Sequence, residues 1–356
     1  MKILVGMSGG VDSSVTALML KQQGHEVIGA TMAIWGDKGV KIKLNDKLPQ
    51  KHGACLGPDE AEDIEAARKV ANEIRIPFYV FDCAEQYEKI VLNNFKKEYL
   101  DGHTPNPCIW CNSLIKFDFL PKLARANGIE FEKFATGHYA RIIEENGKYI
   151  LKRGIAQKKD QSYFLYRLSQ EQLSNIILPL GSFTKEEIRD FAQKNGLTVA
   201  EKPDSQDFYA GDYNELLGVE EKEGNIVDLS GKILGKHKGI WNFTIGQRKG
   251  IGVSSTEPLY VIELRKETNE VVIGPKDKTM KGSLIASNIN WISEYKPFCT
   301  AKIRSTQEPV NVEVEKLGND ILVKFEDMQK SIAIGQSVVL YDNDTVLGGG
   351  IITKCE

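Results

Sequence analysis

Seven residues directly behind the first apolar run have the composition of a phosphate cradle: Ser8-Gly9-Gly10-Val11-Asp12-Ser13-Ser14. The glycines permit a tight backbone turn, and amides freed at the start of the following helix point at an anion. The hydroxyls of Ser8, Ser13 and Ser14 add donors. No Gly-Lys-Ser or Gly-Lys-Thr closes the string, so it is not the Walker-type loop of γ-phosphate transfer. The competing reading is that Ser, Gly and Asp merely cap a helix, as such residues often do. A second constellation is Cys108-Ile109-Trp110-Cys111. A Cys-x-x-Cys pair can be a redox couple, half of a zinc site or two ligands of an iron-sulfur cluster. A cysteine is also a strong nucleophile once it is ionised.

The chemistry needs elements to position it. Apolar runs Lys2 to Met7, Glu26 to Met32, Pro77 to Asp82 and Phe131 to Thr136 alternate with helical periods from about Ser13 and from Ala61 to Ile74. That alternation predicts an α/β fold, a doubly wound parallel sheet with helices on its faces. Tyr139 to Arg153 reads as a hairpin turning at Asn146-Gly147. Thr184 and Glu187 form a capping box, Phe183 and Ile188 a hydrophobic staple, and Gly196 a stop for one helix. From Gly224 onward, short β-rich runs alternate with Gly, Asn, Asp and Lys turns, which predicts a C-terminal β-barrel. The expected division is 1–203 for the loop-bearing domain, 204–275 for a small central domain and 276–356 for the barrel. Six cysteines are sparse for 356 residues, which argues against a disulfide framework and for the cytoplasm. The first apolar run is too short to span a bilayer, so no membrane partner is expected. A net charge of −3 gives no global pull on nucleic acid, so an RNA partner would be held by local basic patches.

The string from Ser8 to Ser14 resembles the PP-loop of ATP pyrophosphatases, which release pyrophosphate and leave AMP on the substrate. In that resemblance Asp12 helps hold Mg2+ at the leaving pyrophosphate. Further on, Thr104-Pro105-Asn106-Pro107-Cys108-Ile109-Trp110-Cys111-Asn112 with Ile115-Lys116-Phe117 is similar to the tRNA-specific 2-thiouridylase family. Ala135-Thr136-Gly137-His138-Tyr139-Ala140, Lys159-Asp160-Gln161-Ser162-Tyr163-Phe164 and Trp241 through Arg248 extend the likeness in order. The resemblance implies ATP-dependent sulfur insertion at C2 of the wobble uridine of tRNAs for Lys, Glu and Gln. By position it implies that Gly6, Met7, Ser8, Gly9, Gly10, Val11, Asp12, Ser13, Met32 and Gly137 line the ATP site. Asn106, Pro107 and Cys108 would meet the target base, and Cys111 would be the principal sulfur-handling cysteine. His138, Lys159, Asp160, Gln161, Arg304, Ser305 and Gln336 would touch tRNA. Arg248 joins them from a stretch, Leu229 to Thr256, that contains no Asp or Glu. Trp241 and Phe243 within it read as core.

Adenylation fits the chemistry. The C2 oxygen of uridine leaves poorly until it becomes part of AMP, after which a sulfur nucleophile can displace it. The partner would be a sulfur donor such as a cysteine desulfurase, a sulfur carrier or inorganic sulfide. One departure is plain: where familiar members carry a second catalytic cysteine, after Asp204-Ser205-Gln206-Asp207-Phe208, this chain has Tyr209. A persulfide cannot form there. Cys55, in a loop expected at Gly53-Ala54-Cys55-Leu56-Gly57-Pro58 after the second strand, is with Cys108 and Cys111 an expected ligand of a [4Fe-4S] cluster with one open iron. The alternative is a persulfide on Cys111 resolved by Cys108, with Cys55 a small buried residue. Two other functions remain open at this point: an amidating PP-loop enzyme that needs no reactive cysteine, and an RNA-binding relative that has lost catalysis.

Overall fold

The computed structural model describes residues 1–35, 54–57, 59–204, 207–209, 211 and 213–356, with the backbone alone for Cys55 and Asp207. The chain forms two compact units: Met1–Leu92 with Pro107–Gly211 and Asp344–Val346, and Asn93–Asn106 with Asp212–Asn343 and Leu347–Glu356.

In the first unit, strands β1 (Lys2–Gly6), β2 (Glu26–Ala33), β4 (Phe78–Asp82), β5 (Lys133–Ala135) and β8 (Ile176–Ile177) make one sheet in the order β4-β2-β1-β5-β8. Every pairing in it is parallel. Ile3, Leu4 and Val5 of β1 are each 0% exposed, so the run is apolar on both sides because both faces are covered. Helix α1 (Val11–Gln22) packs Val11, Val15 and Leu20 into the core that also takes Val70 of α2 (Glu60–Glu73) and Ile188 of the helix Lys185–Lys194. Successive strands leave β1 toward opposite edges of the sheet, which opens a crevice at its C-terminal end, directly before the serine and glycine string.

Local turn chemistry explains the next elements. β6 (Ala140–Glu145) and β7 (Lys148–Arg153) pair antiparallel around Asn146 and Gly147. Both turn residues have positive φ, 52° and 73°, as a two-residue type I′ turn requires. The Thr184 and Glu187 capping box is present in both directions, and Gly196 follows with φ 68°. Cys55 lies differently from the sequence expectation. Instead of a loop, Ala54–Leu56 forms strand β3, paired parallel with strand β9 (Asp207–Tyr209), with Leu56 opposite Tyr209. Backbone pairing across a long sequence separation is not encoded in local turn residues, so the Gly-rich flanks suggested a loop.

The helical run Pro107–Ala126 passes through a π-helical stretch at Cys111–Phe119. π-Helical winding leaves carbonyls short of intrahelical partners, and Gln172 Nε2 donates to Ser113 O at 2.8 Å and Phe117 O at 3.4 Å.

In the second unit, β10 (Gly224–Val227), β11 (Ile233–His237), β12 (Tyr260–Arg265) and β13 (Glu270–Gly274) form a sheet in the order β11-β10-β13-β12. Strands β14 (Met280–Trp291), β15 (Phe298–Lys302), β16 (Val310–Leu317), β17 (Asp320–Lys330), β18 (Ser337–Asp342) and β19 (Thr345–Cys355) follow in the order β14-β17-β16-β15-β18-β19. Pairing of Leu284 with Cys355 and of Ala286 with Ile352 closes this set into a barrel, around a core that includes Leu284, Val314, Val323 and Leu340. Trp241 and Phe243 are 8% and 7% exposed, core residues as their aromatic bulk suggested, and Trp241 Nε1 donates to Asn214 Oδ1 at 2.6 Å.

Candidate active site

The loop after β1 is a cradle with its donors turned inward. Gly10 is the N-cap residue of α1, yet no side chain caps the helix. Ser14 Oγ donates back to Gly10 O at 2.8 Å, and Ser13 Oγ accepts from Ser8 N at 3.1 Å. The serines therefore shape the loop and leave the first helix amides for an anion, which disfavours the simple capping reading. Two glycines are required by space. At Gly9 the φ is +75° and a Cβ would stand 2.2 Å from Asp63 O; at Gly137 a Cβ would stand 2.7 Å from Asp12 C and 2.8 Å from Ser13 N. Gly137 thus packs backbone to backbone on the start of α1. Met32, half-buried on β2, comes from the neighbouring strand.

Asp12 does not stand open. Its Oδ1 accepts from Tyr139 Oη at 2.7 Å, and its two oxygens accept from Lys185 Nζ at 2.7 and 2.9 Å. Burial, reinforced by the Asp12 charge, raises the Tyr139 pKa, so the phenol stays a donor. Lys185 also pairs with Asp204 Oδ1 at 2.7 Å, and Lys159 donates to the other Asp204 oxygen at 2.7 Å. Burial works to raise the Asp204 pKa, but the hydrogen bonds from Lys159 and Lys185 win and hold the carboxyl below its usual range. Lys202 Nζ donates to Gly9 O at 3.2 Å and to Asp63 Oδ1 at 2.6 Å, tying the loop to α2. Sequence reasoning found neither Lys185 nor Lys202. The available signal was Lys185 itself, a cation in the first turn of a capped helix, where the helix dipole favours acids.

The cysteines divide by environment. Cys108 and Cys111, three residues apart on successive helical segments, are half-buried. Ser113 Oγ donates to Ile109 O at 2.9 Å, Asn112 Nδ2 donates to Phe164 O at 3.3 Å, and the Arg167 guanidinium lies 4.4 Å over the Trp110 ring. These contacts fix the segment that presents the pair. Cys83, at the end of β4, is buried; burial first, then the charges of Asp82, Cys111 and Glu60, push its thiol up to about 12. That thiol stays protonated. Among the described residues no group of three His, Cys, Asp or Glu side chains could hold a metal ion, and the Cys55 side chain lies outside the described residues. Ser205 and Gln206 lie outside them as well, while Tyr209 is buried on β9.

Comparison with known proteins decides the family. The family model described as "tRNA methyl transferase HUP domain" matches residues 1–209. "tRNA methyl transferase PRC-barrel domain" matches 216–275, and "Aminomethyltransferase beta-barrel domain" matches 281–352. A tRNA-specific 2-thiouridylase from Endomicrobium trichonymphae is 49% identical over 99% of this chain and 99% of its own. A second, from Clostridioides difficile strain 630, is 44% identical over 99% and 98%. The chain belongs to the tRNA-specific 2-thiouridylase family. Its N-terminal parallel-sheet domain is a HUP domain of the PP-loop type, followed by a PRC-barrel-like middle domain and a six-stranded β-barrel.

Family membership directs attention to the residues expected to meet tRNA, and the structure sorts them. Asp160 is removed from that set. Its carboxylate is fully buried, with Oδ1 accepting from Gly154 N and Ser162 N at 3.1 Å each and Oδ2 accepting from Ser162 Oγ at 3.0 Å and Arg153 Nε at 3.2 Å. A carboxylate so saturated shapes the turn and has no oxygen to offer RNA. Gln161 Oε1 accepts from Tyr139 N at 2.9 Å, so it aligns the tyrosine that holds Asp12. His138 is half-buried, and burial with the nearby Lys116 charge drives its pKa well down; Nδ1 lies 2.7 Å from Thr136 Oγ1. A neutral ring cannot pair with phosphate as a cation. Arg304 donates to Ile245 O at 3.4 Å and Ser331 O at 3.0 Å, and Gln336 Nε2 donates to Thr104 O at 3.0 Å, beside Asn106. Arg248 is exposed, and Ser305 and Asn106 are half-buried. The acid-free stretch meets acids from outside it, for Lys236 pairs with Glu223 and Lys238 with Glu221 at 2.9 Å. Among the described residues no helix is long and apolar enough to cross a membrane.

Proposed function

We propose that this chain uses ATP to adenylate the C2 oxygen of the wobble uridine in tRNAs for Lys, Glu and Gln, then displaces AMP with sulfur to leave 2-thiouridine. The observation that carries the reading is the uncapped start of α1 at Gly10, with Gly137 packed against it, in the unit that also presents Cys108 and Cys111. In the first step the uridine O2 attacks the α-phosphorus, the bond to the β-phosphate oxygen breaks, and pyrophosphate leaves. The first amides of α1 stabilise the charge that develops there, in a loop whose shape the serine hydroxyls hold. In the second step a sulfur nucleophile adds to C2, and AMP departs with the original oxygen. Gly6 to Ser13, Met32 and Gly137 line the ATP site, Asn106, Pro107 and Cys108 meet the base, and Arg248, Lys159, Ser305 and His138 meet tRNA. Arg304, Gln161 and Gln336 meet tRNA as well, while their hydrogen bonds position the segments around them.

Mg2+ takes one or two carboxylates and lets phosphate oxygens fill its remaining positions. Asp12 fits as that carboxylate, and the ion would neutralise charge on the leaving pyrophosphate. For sulfur, Cys108 and Cys111 lie about one helical turn apart, a placement that suits two thiolates of one cluster. We assign Cys55, on the strand beside residue 209, as the residue that would join Cys108 and Cys111 in holding a [4Fe-4S] cluster, which would supply an iron site open to an external sulfur ligand. Tyr209 cannot carry a persulfide, which favours this set. Anaerobically purified protein then contains iron and labile sulfide and loses both on Cys55→Ala, Cys108→Ala or Cys111→Ala. Full thiolation by iron-free protein given a persulfide donor would assign the chemistry to Cys111 as the sulfur carrier and Cys108 as its resolving thiol. The donor is inorganic sulfide, a cysteine desulfurase or a sulfur carrier, and the compartment is the cytoplasm, where tRNA and ATP meet.

Residues 1–203 serve adenylation and sulfur transfer, 204–275 and the barrel 276–356 serve tRNA. The deciding experiment is incubation with ATP, a sulfide source and unmodified tRNA, read by nucleoside mass spectrometry. Appearance of 2-thiouridine is the expected result. Its absence alongside continued AMP formation in a Cys111→Ser variant would point to amidation, and absence of any pyrophosphate release would point to an RNA-binding relative without catalysis.

A further inference from the structure

Lys185 is the first residue of its helix and only 7% exposed, so both the helix dipole and burial oppose its charge. Two carboxylates from separate elements compensate: Asp12 at the loop, through both oxygens at 2.7 and 2.9 Å, and Asp204 at 2.7 Å. The two do not depend on it equally. Asp204 is also faced by Lys159 at 2.7 Å and Arg189 at 3.4 Å, whereas Asp12 has, besides Lys185, the neutral hydroxyl of Tyr139 at 2.7 Å. Asp12 sits in the first turn of α1, whose uncapped amides make the anion cradle. A polyphosphate held there brings several negative charges next to the Lys185 ammonium, and a phosphate oxygen is a strong acceptor for it.

We propose that Lys185 is a shared cation, neutralising Asp12 and Asp204 in the nucleotide-free protein and turning to the polyphosphate when ATP binds, so that ATP loosens the Asp204 end of the chain. The inference rests on the reading of the loop as an ATP site. Asp204 stands three residues before β9, the strand that pairs with Ala54–Leu56 and ends at Tyr209. Transfer of Lys185 leaves Asp204 to Lys159 and Arg189, whose side chains are 44% and 34% exposed and therefore well hydrated. Nucleotide occupancy is thereby coupled to the strand that flanks Cys55, and the coupling is reciprocal: whatever frees Lys185 from Asp204 must favour ATP.

The test uses the full chain without tRNA, in buffer containing magnesium, and a non-hydrolysable ATP analogue. Calorimetry gives affinity, and hydrogen exchange reads the peptide spanning Asp207–Tyr209. Asp204→Asn should bind the analogue about three- to tenfold more tightly, since a competitor for the ammonium is gone. Lys185→Met should bind about tenfold more weakly and lose the analogue-induced rise in exchange at Asp207–Tyr209, with Lys185→Arg recovering part of both. A merely structural role would not tighten binding in Asp204→Asn, so equal or weaker affinity there overturns the proposal. Should Lys185→Met melt early, the Asp204→Asn arm still decides. Failure of the wild-type protein to bind the analogue would instead sink the ATP reading of the loop itself.

Discussion

Asp12 and Asp204 both face Lys185, yet substitutions at the loop and at the cysteines should separate two halves of one reaction. Asp12→Asn removes the charge that anchors Lys185 and the candidate Mg2+ ligand together. Pyrophosphate release should fall by about a hundredfold or more, as when a single group that stabilises developing charge is lost. Near-normal release would take Asp12 out of the mechanism. Cys111→Ser leaves the loop untouched, so ATP binding should survive while 2-thiouridine disappears from digests of treated tRNA. Thiol environment gives a third prediction, with a definite sign. A raised thiol pKa lowers the thiolate fraction at a given pH, and the thiolate is the form that alkylates. Burial pushes Cys83 and Cys299 up to about 12. At about pH 8, iodoacetamide followed by peptide mass spectrometry should therefore label Cys108 and Cys111 well before either of them. Early labelling of Cys83 would show that its pocket opens.

At the level of elements, the helix Lys185–Lys194 links cap chemistry to the proposed ATP site. Thr184 Oγ1 accepts from Glu187 N at 3.2 Å, and Glu187 Oε2 accepts from Thr184 N at 2.7 Å. Thr184→Ala should cost about 1 kcal/mol, seen as a lower denaturant midpoint. It should also weaken ATP binding, because the frayed first turn carries Lys185; unchanged affinity would mean that turn holds without its cap. This box, the Asn146-Gly147 hairpin and the strand β1 were legible in the sequence because their causes are local: a hydroxyl three residues before an acid, two residues that accept positive φ, an apolar run. The π-helical winding after Cys111 was not legible, and neither was its contact with Gln172, far along the chain, which donates to the Ser113 and Phe117 carbonyls. Nor was the burial of Asp160, whose four hydrogen bonds are made only once the turn around it has closed. Motif resemblance located the loop and the cysteine pair, but the ion network around Lys185 joins residues 12, 185 and 204 and needed the fold.

For the molecule as a whole, tRNA binding should answer to charge counted one phosphate contact at a time. Each neutralised contact lowers the slope of log K against log salt by about 0.9 on a duplex and about 0.7 on a single strand. Arg248→Gln should produce a change of that size. Lys159→Gln should change the slope less, because its ammonium already faces Asp204. Equal effects would show that tRNA strips Lys159 from that partner. The pairing of β3 with β9 has a consequence in the time domain. Strands β1 to β8 of the central sheet and the cradle behind β1 are encoded before residue 178, whereas Ala54–Leu56 waits for Asp207–Tyr209. Roughly 150 residues of synthesis separate the two, on the order of ten seconds on a ribosome. A nascent chain thus assembles its glycine- and serine-rich loop first and leaves the backbone of the Cys55 strand without that partner until the segment ending at Tyr209 has emerged.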